Sequence, residues 1–170
     1  MKQSKKIAIS GIATAIASTF LVLGNYLSVL DYSFYILSSL CLVLPFITKE
    51  WWWSVLSLIA TCVIGFLLAP SFMQMMIYVL FFAPYAIILG FTLIFNVKPT
   101  VSYIVKEVFY ALSIVLIYFF STVFVEVNAW NLPLWTLILG ALILFNVYDF
   151  CMQRIARTAL KTLYKMISNK

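Results

Sequence analysis

Long apolar runs separated by short polar breaks are the main pattern along this chain. The breaks LDYS, TKE, APS, NVKPT and VNAWNLP carry the Pro, Asn, Asp and Ser residues that commonly interrupt helices. The apolar runs are continuous rather than alternating, and a helix needs about 20 such residues to cross a bilayer. The pattern therefore predicts six membrane-spanning helices, at residues 7–30, 33–48, 51–69, 73–95, 101–127 and 132–151.

The pattern changes after residue 151. Apolar residues recur at every fourth position, at Ile155, Ala159, Leu163 and Ile167. Basic residues occupy the remaining faces, at Arg154, Arg157, Lys161 and Lys165. This predicts a basic, amphipathic continuation of the last helix over residues 152–170, lying along or just below the cytoplasmic membrane surface. Attraction to anionic lipids and docking of a cytoplasmic partner would both account for its charge.

The composition indicates that the solvent of this chain is lipid. Of its 170 residues, 65% are hydrophobic and 9% are charged, whereas a soluble domain carries about 25% charged residues. We therefore expect an all-α integral membrane protein with a single membrane domain over residues 1–170. The first apolar run has no small-residue cleavage site after a short core, so it is expected to remain as an anchor.

The distribution of charge predicts the orientation. If the N-terminus lies in the cytoplasm, all eleven Lys and Arg residues fall on one side, and Asp31 and Glu126 fall on the other. Positively charged connections are typical of the cytoplasmic side. We expect a multi-pass protein of the cell membrane with both termini cytoplasmic, and the net charge of +6 then requires no nucleic acid as a partner.

Few residues could carry catalysis. The chain has no His, its three Cys lie in separate apolar segments, and it has no phosphate-binding or zinc-binding motif. No pair of its five acids is expected near the middle of the membrane, where an ion-driven transporter would hold ionisable groups. We expect neither an enzyme nor a metal or cofactor site. Asp149 is expected to pair with Lys106 or with a basic residue of the tail.

Polar and aromatic residues gather near the predicted outer ends of the helices. Aromatic faces with a few amides are suited to a small, planar, polar molecule, although interface and loop composition alone would also produce them. The candidate substrate-binding residues are Asn25, Tyr26, Tyr35, Gln74, Tyr78, Asn128, Trp130, Asn131 and Trp135.

The first helix is unusually rich in small residues. At 100° per residue they form two adjoining stripes, one containing Gly11 and Ala15 and the other containing Ala13 and Ala17. Small residues four positions apart allow helix backbones to approach closely in lipid. The stripes therefore favour tight packing within the bundle, an interface with a partner protein, or one of each.

The layout and three segments resemble the substrate-binding S components of energy-coupling factor (ECF) vitamin transporters. The segments are ATAIA with Ala13 and Ala17, YVLFFAPYAIILG at 78–90, and NVYDF at 146–150. The resemblance implies that the Ala-xxx-Ala motif of the first helix docks on a T component driven by two cytoplasmic ATPase subunits. It also implies a B vitamin or precursor as substrate, and the aromatic outer residues favour pyridoxine or a hydroxymethylpyrimidine, with pantothenate as an alternative.

Two other functions fit parts of the pattern. An MreD-like scaffold of cell-wall elongation would have a similar size and basic ends and would need no ligand. A small exporter or channel would need polar residues through the whole membrane depth, whereas the middle of each predicted span is Leu, Ile, Val and Phe. The outer polar residues distinguish the first two functions, because only the S component requires them.

Overall fold

A computed structural model of the protein describes residues 3–27, 30–95, 97–124 and 134–168, except for the side chains at 121–124, 134–139, 141 and 166–168. Within these ranges the secondary structure is helical and includes no strand. Six helices are described: α1 Gln3–Tyr26, α2 Asp31–Thr48, α3 Trp51–Leu68, α4 Phe72–Ile94, α5 Pro99–Phe124 and α6 Leu134–Ser168.

Helices α1 to α5 are long and apolar enough to cross a membrane, judged by length and composition. The exposed face of α5 shows the same character, because large apolar residues recur there at every third or fourth position, at Val101, Ile104, Val108, Leu112, Val115 and Phe119. A continuous exposed apolar face is costly in water and stable in lipid. The protein is therefore an all-helical, multi-pass membrane protein, as the sequence predicts.

The predicted sixth span falls on the first half of α6, where many side chains lie outside the described part. A total of six spans and the cytoplasmic location of both termini stay predictions. For α1 to α5, each observed helix begins and ends within four residues of the bounds of its predicted span. The largest shift is in α1, because its polar first turn at residues 3–6 continues the helix beyond the apolar run.

Small and hydroxyl-bearing residues hold α1 against α2 and α3. Ala13 and Ala17 are buried, and the Ser38 hydroxyl of α2 donates a 2.8 Å hydrogen bond to the carbonyl oxygen of Ala17. On α3, the hydroxyl of Ser57 lies 2.7 Å from that of Ser10. Side chains this small bring the backbones close enough for a serine to bond to the neighbouring helix.

The connection between α2 and α3 closes one end of the bundle. The last turn of α2, Leu44–Thr48, is a 3₁₀ helix with Pro45 in its first turn, and Lys49 ends it in the left-handed region with φ of 60°. Glu50 then forms an ion pair with Lys6 of α1 and accepts a 2.8 Å hydrogen bond from the indole of Trp53. The start of α1 and this connection therefore lie at the same end.

Helix α6 runs without interruption from the predicted span into the basic tail, as predicted. The fully buried residues of the tail lie next to the predicted apolar face, whose contact with the membrane stays a prediction. The buried residues are Met152, Ala156 and Leu160, which belong to the core, whereas Ile155 is about half exposed. The apolar side of the tail packs on the bundle, where Ile155, Ala156, Ala159 and Leu160 line a small cavity against α2. Protein, rather than only the membrane surface, therefore covers this segment.

Candidate functional site

Three helices contribute to a buried group of polar and aromatic side chains, here called the tyrosine cluster: Asn25, Tyr35, Ser38 and Tyr78. The Tyr35 hydroxyl donates to Asn25 Oδ1 at 3.2 Å, and the Asn25 amide donates to the Leu21 carbonyl oxygen at 2.9 Å. The hydroxyls of Ser38 and Tyr78 are 2.7 Å apart, and the two tyrosine ring centroids are 5.7 Å apart. These contacts make one connected group across α1, α2 and α4.

Two local features place the tyrosines. Gly24 leaves room on α1 for the ring of Tyr35, because a Cβ at that position would lie 2.9 Å from Tyr35 Cε1. On α4, Tyr78 begins a single π-helical turn, Tyr78–Phe82, in which the Ala83 N–H bonds to the Tyr78 carbonyl oxygen. A π turn widens the helix and is frequent at functional sites.

Half-buried polar groups lie at the edge of the tyrosine cluster. Gln74 Nε2 donates to Asp31 Oδ2 across a long 3.4 Å bond between α4 and the start of α2. The ring of Tyr32 packs edge-on to Tyr35 at 6.3 Å, while more than half of its side chain is exposed. This edge is the polar boundary between the buried tyrosines and the surroundings.

The structure brings together four of the nine predicted substrate-binding residues, which are Asn25, Tyr35, Gln74 and Tyr78. Tyr26 is two-thirds exposed and lies apart from this network. The remaining four lie outside the described part: residues Asn128, Trp130 and Asn131 entirely, and Trp135 in its side chain. Their role in substrate binding stays a prediction.

The tyrosine cluster is closely packed in this conformation. Tyr35 and Tyr78 are fully buried, and their hydroxyls bond to protein groups. The two described cavities lie elsewhere, one of about 470 Å³ between the ends of α2, α4 and α6, and one of about 150 Å³ between α2 and α6. A ligand at the tyrosine cluster would therefore have to replace the internal hydrogen bonds.

A second buried group, here called the charged cluster, lies between α4, α5 and α6. Lys106 Nζ is 2.7 Å from Asp149 Oδ1, and both side chains are buried. The Tyr85 hydroxyl also donates to Asp149 Oδ1, and Gln153 Nε2 donates to Asp149 Oδ2 at 2.6 Å. Of the two partners that the sequence allows for Asp149, the structure selects Lys106. The carboxylate accepts from three helices and so ties them together.

Lys106 is one of the cations assigned to the cytoplasmic side from the sequence, and the structure shows that it is buried within α5 rather than exposed at a helix end. Lys106 lies seven residues inside α5, about 10 Å along the axis from Pro99, and only 1% of it is exposed. An ionisable residue inside an apolar helix is itself a signal, because such residues usually face a polar partner. The sequence predictions omit Ser38 and Tyr85, which are uncharged polar residues inside apolar helices.

An aromatic band joins the tyrosine and charged clusters through the π turn. The Phe82 ring lies 5.9 Å from Tyr35 and 6.1 Å from Tyr148, while Phe81 lies 6.1 Å from Tyr85. The Tyr148 hydroxyl is buried beside the hydroxyl of Ser39 on α2. The band therefore carries a polar group at its centre as well as aromatic rings.

The two small-residue stripes of α1 have different surroundings. Ala13 and Ala17, the residues of the Ala-xxx-Ala motif, are buried within the chain's own bundle. Gly11 and Ala15 are exposed, and a Cβ at Gly11 would meet no atom within 4 Å. A partner that approaches α1 in this conformation therefore meets Gly11 and Ala15.

The described side chains include no group of three or more His, Cys, Asp or Glu residues that could hold a metal ion. Cys41, Cys62 and Cys151 are free thiols. Comparison with protein-family models, with curated proteins and with solved structures gave no match to this chain.

Proposed function

We propose that the protein binds a small, planar, polar molecule at the tyrosine cluster, as the S component of an ECF importer for a B vitamin or precursor. The observation that carries the proposal is the convergence of Asn25, Tyr35, Gln74 and Tyr78 from three helices. Tyr35 bonds to Asn25, Tyr78 bonds to Ser38, and the two tyrosine rings are in contact, so side chains from three helices meet at one place. Pyridoxine, a hydroxymethylpyrimidine and pantothenate are the substrates to test.

The chemistry of the site supports a heterocyclic ligand. The rings of Tyr78 and Phe82 each lie within about 6 Å of the Tyr35 ring, and all three offer stacking surfaces. The Asn25 amide and the tyrosine hydroxyls both donate and accept hydrogen bonds, as does the buried Tyr148 hydroxyl. Apolar walls with a few placed polar groups are the usual composition of a small-molecule site.

Opening at the polar edge would admit the ligand. The Gln74–Asp31 bond is long and half-buried, so breaking it costs less than breaking a short bond in the core. The π turn places Tyr78 on a helix segment whose hydrogen-bond pattern already departs from the regular α-helix. A small shift of α4 would then exchange the Ser38–Tyr78 contact for a contact to the ligand.

The proposed partners are a T component and two ATPase subunits. The exposed stripe of Gly11 and Ala15 provides a surface on α1 for a helix of the T component, since small residues allow close approach. The resemblance implies docking through Ala13 and Ala17, but their burial favours the neighbouring stripe for the first contact.

An MreD-like scaffold without a ligand is the second candidate. The observation in its favour is the closed packing of the tyrosine cluster, in which Tyr35 and Tyr78 already have hydrogen-bond partners. In a scaffold these contacts would serve only to hold α1, α2 and α4 together.

Ligand binding by the purified protein separates the two functions. Mass spectrometry identifies any small molecule that co-purifies, and calorimetry then measures its affinity together with those of pyridoxine, hydroxymethylpyrimidine and pantothenate. We expect Asn25→Ala and Tyr78→Phe to weaken binding by roughly tenfold each, since each removes a hydrogen-bonding group. Tyr26→Phe is the matched control and should bind normally.

A protein that binds none of these compounds and carries no ligand would contradict the importer. If such a ligand-free protein co-purified with partner proteins, and substitution of Gly11 and Ala15 by Leu prevented this co-purification, the scaffold would be the better assignment. Unchanged recovery of a T component with these variants would contradict the proposed α1 interface.

A further inference from the structure

The larger described cavity, about 470 Å³, is a cleft at the end of the bundle that carries Lys49. Three parts of the chain form it: the end of α2 with the following Lys49, the end of α4, and the last turns of α6. Its volume lies within the usual range for small-molecule sites. This cleft is separate from the tyrosine cluster, with which it shares no lining residue.

The lining of the cleft has an apolar part and a basic part. Ile47, Leu93, Ile94 and Leu160 form the apolar walls. The basic residues are Lys49 from the connection after α2, together with Arg157, Lys161 and Lys165. The last three are spaced four residues apart, so they form a row about 12 Å long on one face of α6.

These four cations have no carboxylate counterion in the described part of the chain. The two ion pairs found there join Lys6 to Glu50 and Lys106 to Asp149, so the nearby acids already have partners. Like charges four residues apart on a helix repel each other. The fold therefore gathers positive charge around an apolar cleft without neutralising it.

An amphiphilic anion complements both parts of this lining. The cleft lies at the ends of membrane-compatible helices, where phospholipid headgroups would be found, and clusters of Lys and Arg there attract anionic lipids. A phosphate would neutralise the basic row, while an acyl chain would cover Leu93 and Ile94. We infer that this cleft is a binding site for an anionic phospholipid, which fixes the C-terminal part of α6 against α2 and α4.

The test uses the full-length protein in detergent micelles with added phosphatidylglycerol or phosphatidylcholine of identical acyl chains. Native mass spectrometry counts the lipids that the protein retains. We expect phosphatidylglycerol to be retained and phosphatidylcholine to be lost. The triple variant Arg157→Gln, Lys161→Gln, Lys165→Gln should weaken retention of phosphatidylglycerol by roughly tenfold or more, because each cation near a membrane surface contributes to the attraction.

The matched control removes the same charge from cations that do not line the cleft: Lys5→Gln, Lys98→Gln and Arg154→Gln. It should retain phosphatidylglycerol as the unmodified protein does. Equal losses in both triple variants would mean general surface attraction and would overturn the site. If the cleft triple variant does not fold, the single change Lys161→Glu puts a carboxylate into the basic row and should weaken retention as well, and unchanged retention would again overturn the site.

Two further probes distinguish other anions. Inorganic phosphate tests for a site that recognises the phosphate alone, and poly-glutamate peptide tests for an acidic protein partner. We expect neither probe to displace phosphatidylglycerol when both are added at the same concentration of negative charge as the lipid. Neither probe supplies an acyl chain for the apolar walls. Displacement by either probe, or protection from heat by either probe in the absence of lipid, would overturn the assignment to a lipid.

Discussion

The hydroxyl of Ser113 on α5 lies 3.1 Å from the carbonyl oxygen of Leu80 on α4 and 2.9 Å from that of Phe109 on its own helix, so its hydrogen is shared between the two. Leu80 lies four residues before Pro84, whose nitrogen carries no hydrogen and therefore cannot give that carbonyl its α-helical donor. Within a membrane, serine side chains and local π turns commonly satisfy backbone groups freed by proline. Ser113 therefore stabilises the irregular part of α4 that presents Tyr78, Phe81 and Phe82.

We predict that Ser113→Ala lowers the free energy of unfolding by about 1 kcal/mol, the usual net value of one hydrogen bond. The loss should be smaller when Pro84→Ala is also present, because residue 84 then supplies a backbone donor. Unfolding in mixed micelles, monitored by circular dichroism, gives the double-mutant cycle. Thr19→Ala is the control, since Thr19 bonds only within α1 and is exposed. An equal cost in both backgrounds would rule out this role.

Removing one charge of the Lys106–Asp149 ion pair should destabilise the protein much more than removing both charges. Asp149→Asn leaves the ammonium of Lys106 buried without a counterion, which costs about 3–5 kcal/mol. The double variant Lys106→Met, Asp149→Asn should recover much of that loss, because no buried charge remains. The free energies of unfolding of the two variants provide the comparison. Equal destabilisation of the single and double variants would mean that the charge itself is unimportant.

Identical glycine-to-alanine changes should have opposite effects at positions 90 and 11. A Cβ on Gly90 would overlap the buried ring of Phe46, so Gly90→Ala should destabilise the protein by about 1–3 kcal/mol. At Gly11 the added methyl meets open space, and better helix propensity should stabilise α1 by up to about 1 kcal/mol. Thermal unfolding measures both variants. A shift of the same sign in both would contradict the packing described for α4.

Protonation of the Glu50 carboxyl at acid pH should weaken the contacts at this end of the bundle. Hydrogen bonds from Lys6 and Trp53 lower its pKa below the ordinary value. Since the folded pKa is below the unfolded pKa, the stabilisation is present above the unfolded pKa of about 4.3 and is lost as the pH falls through the folded pKa. Glu50→Gln should therefore lower the melting temperature slightly at pH 7 and less at pH 3. The effect is small because the pair is exposed and screened. A difference independent of pH would exclude this ion pair as its source.

Local patterns were sufficient to predict the helices, because the length and hydrophobicity of each apolar run decide whether it can cross a bilayer. Residues 51–69, for example, correspond closely to α3, Trp51–Leu68. The face that a helix buries was harder to predict. The spacing of Ile155 and Ala159 suggested one apolar face of α6, whereas Met152, Ala156 and Leu160 pack on the bundle. In lipid both protein-facing and membrane-facing sides are apolar, so periodicity does not separate them.

Composition and the length of the apolar runs were enough to predict an all-helical, multi-pass membrane protein, because they decide which solvent a chain needs. Sequence patterns also placed Asn25, Tyr35, Gln74 and Tyr78 among nine candidate residues for substrate binding. The folded arrangement was needed to show which of these residues meet, that Lys106 pairs with Asp149 inside the bundle, and that basic residues from two segments surround one cleft. Close packing and charge pairing depend on distances between residues far apart in the chain, and local sequence patterns do not contain those distances.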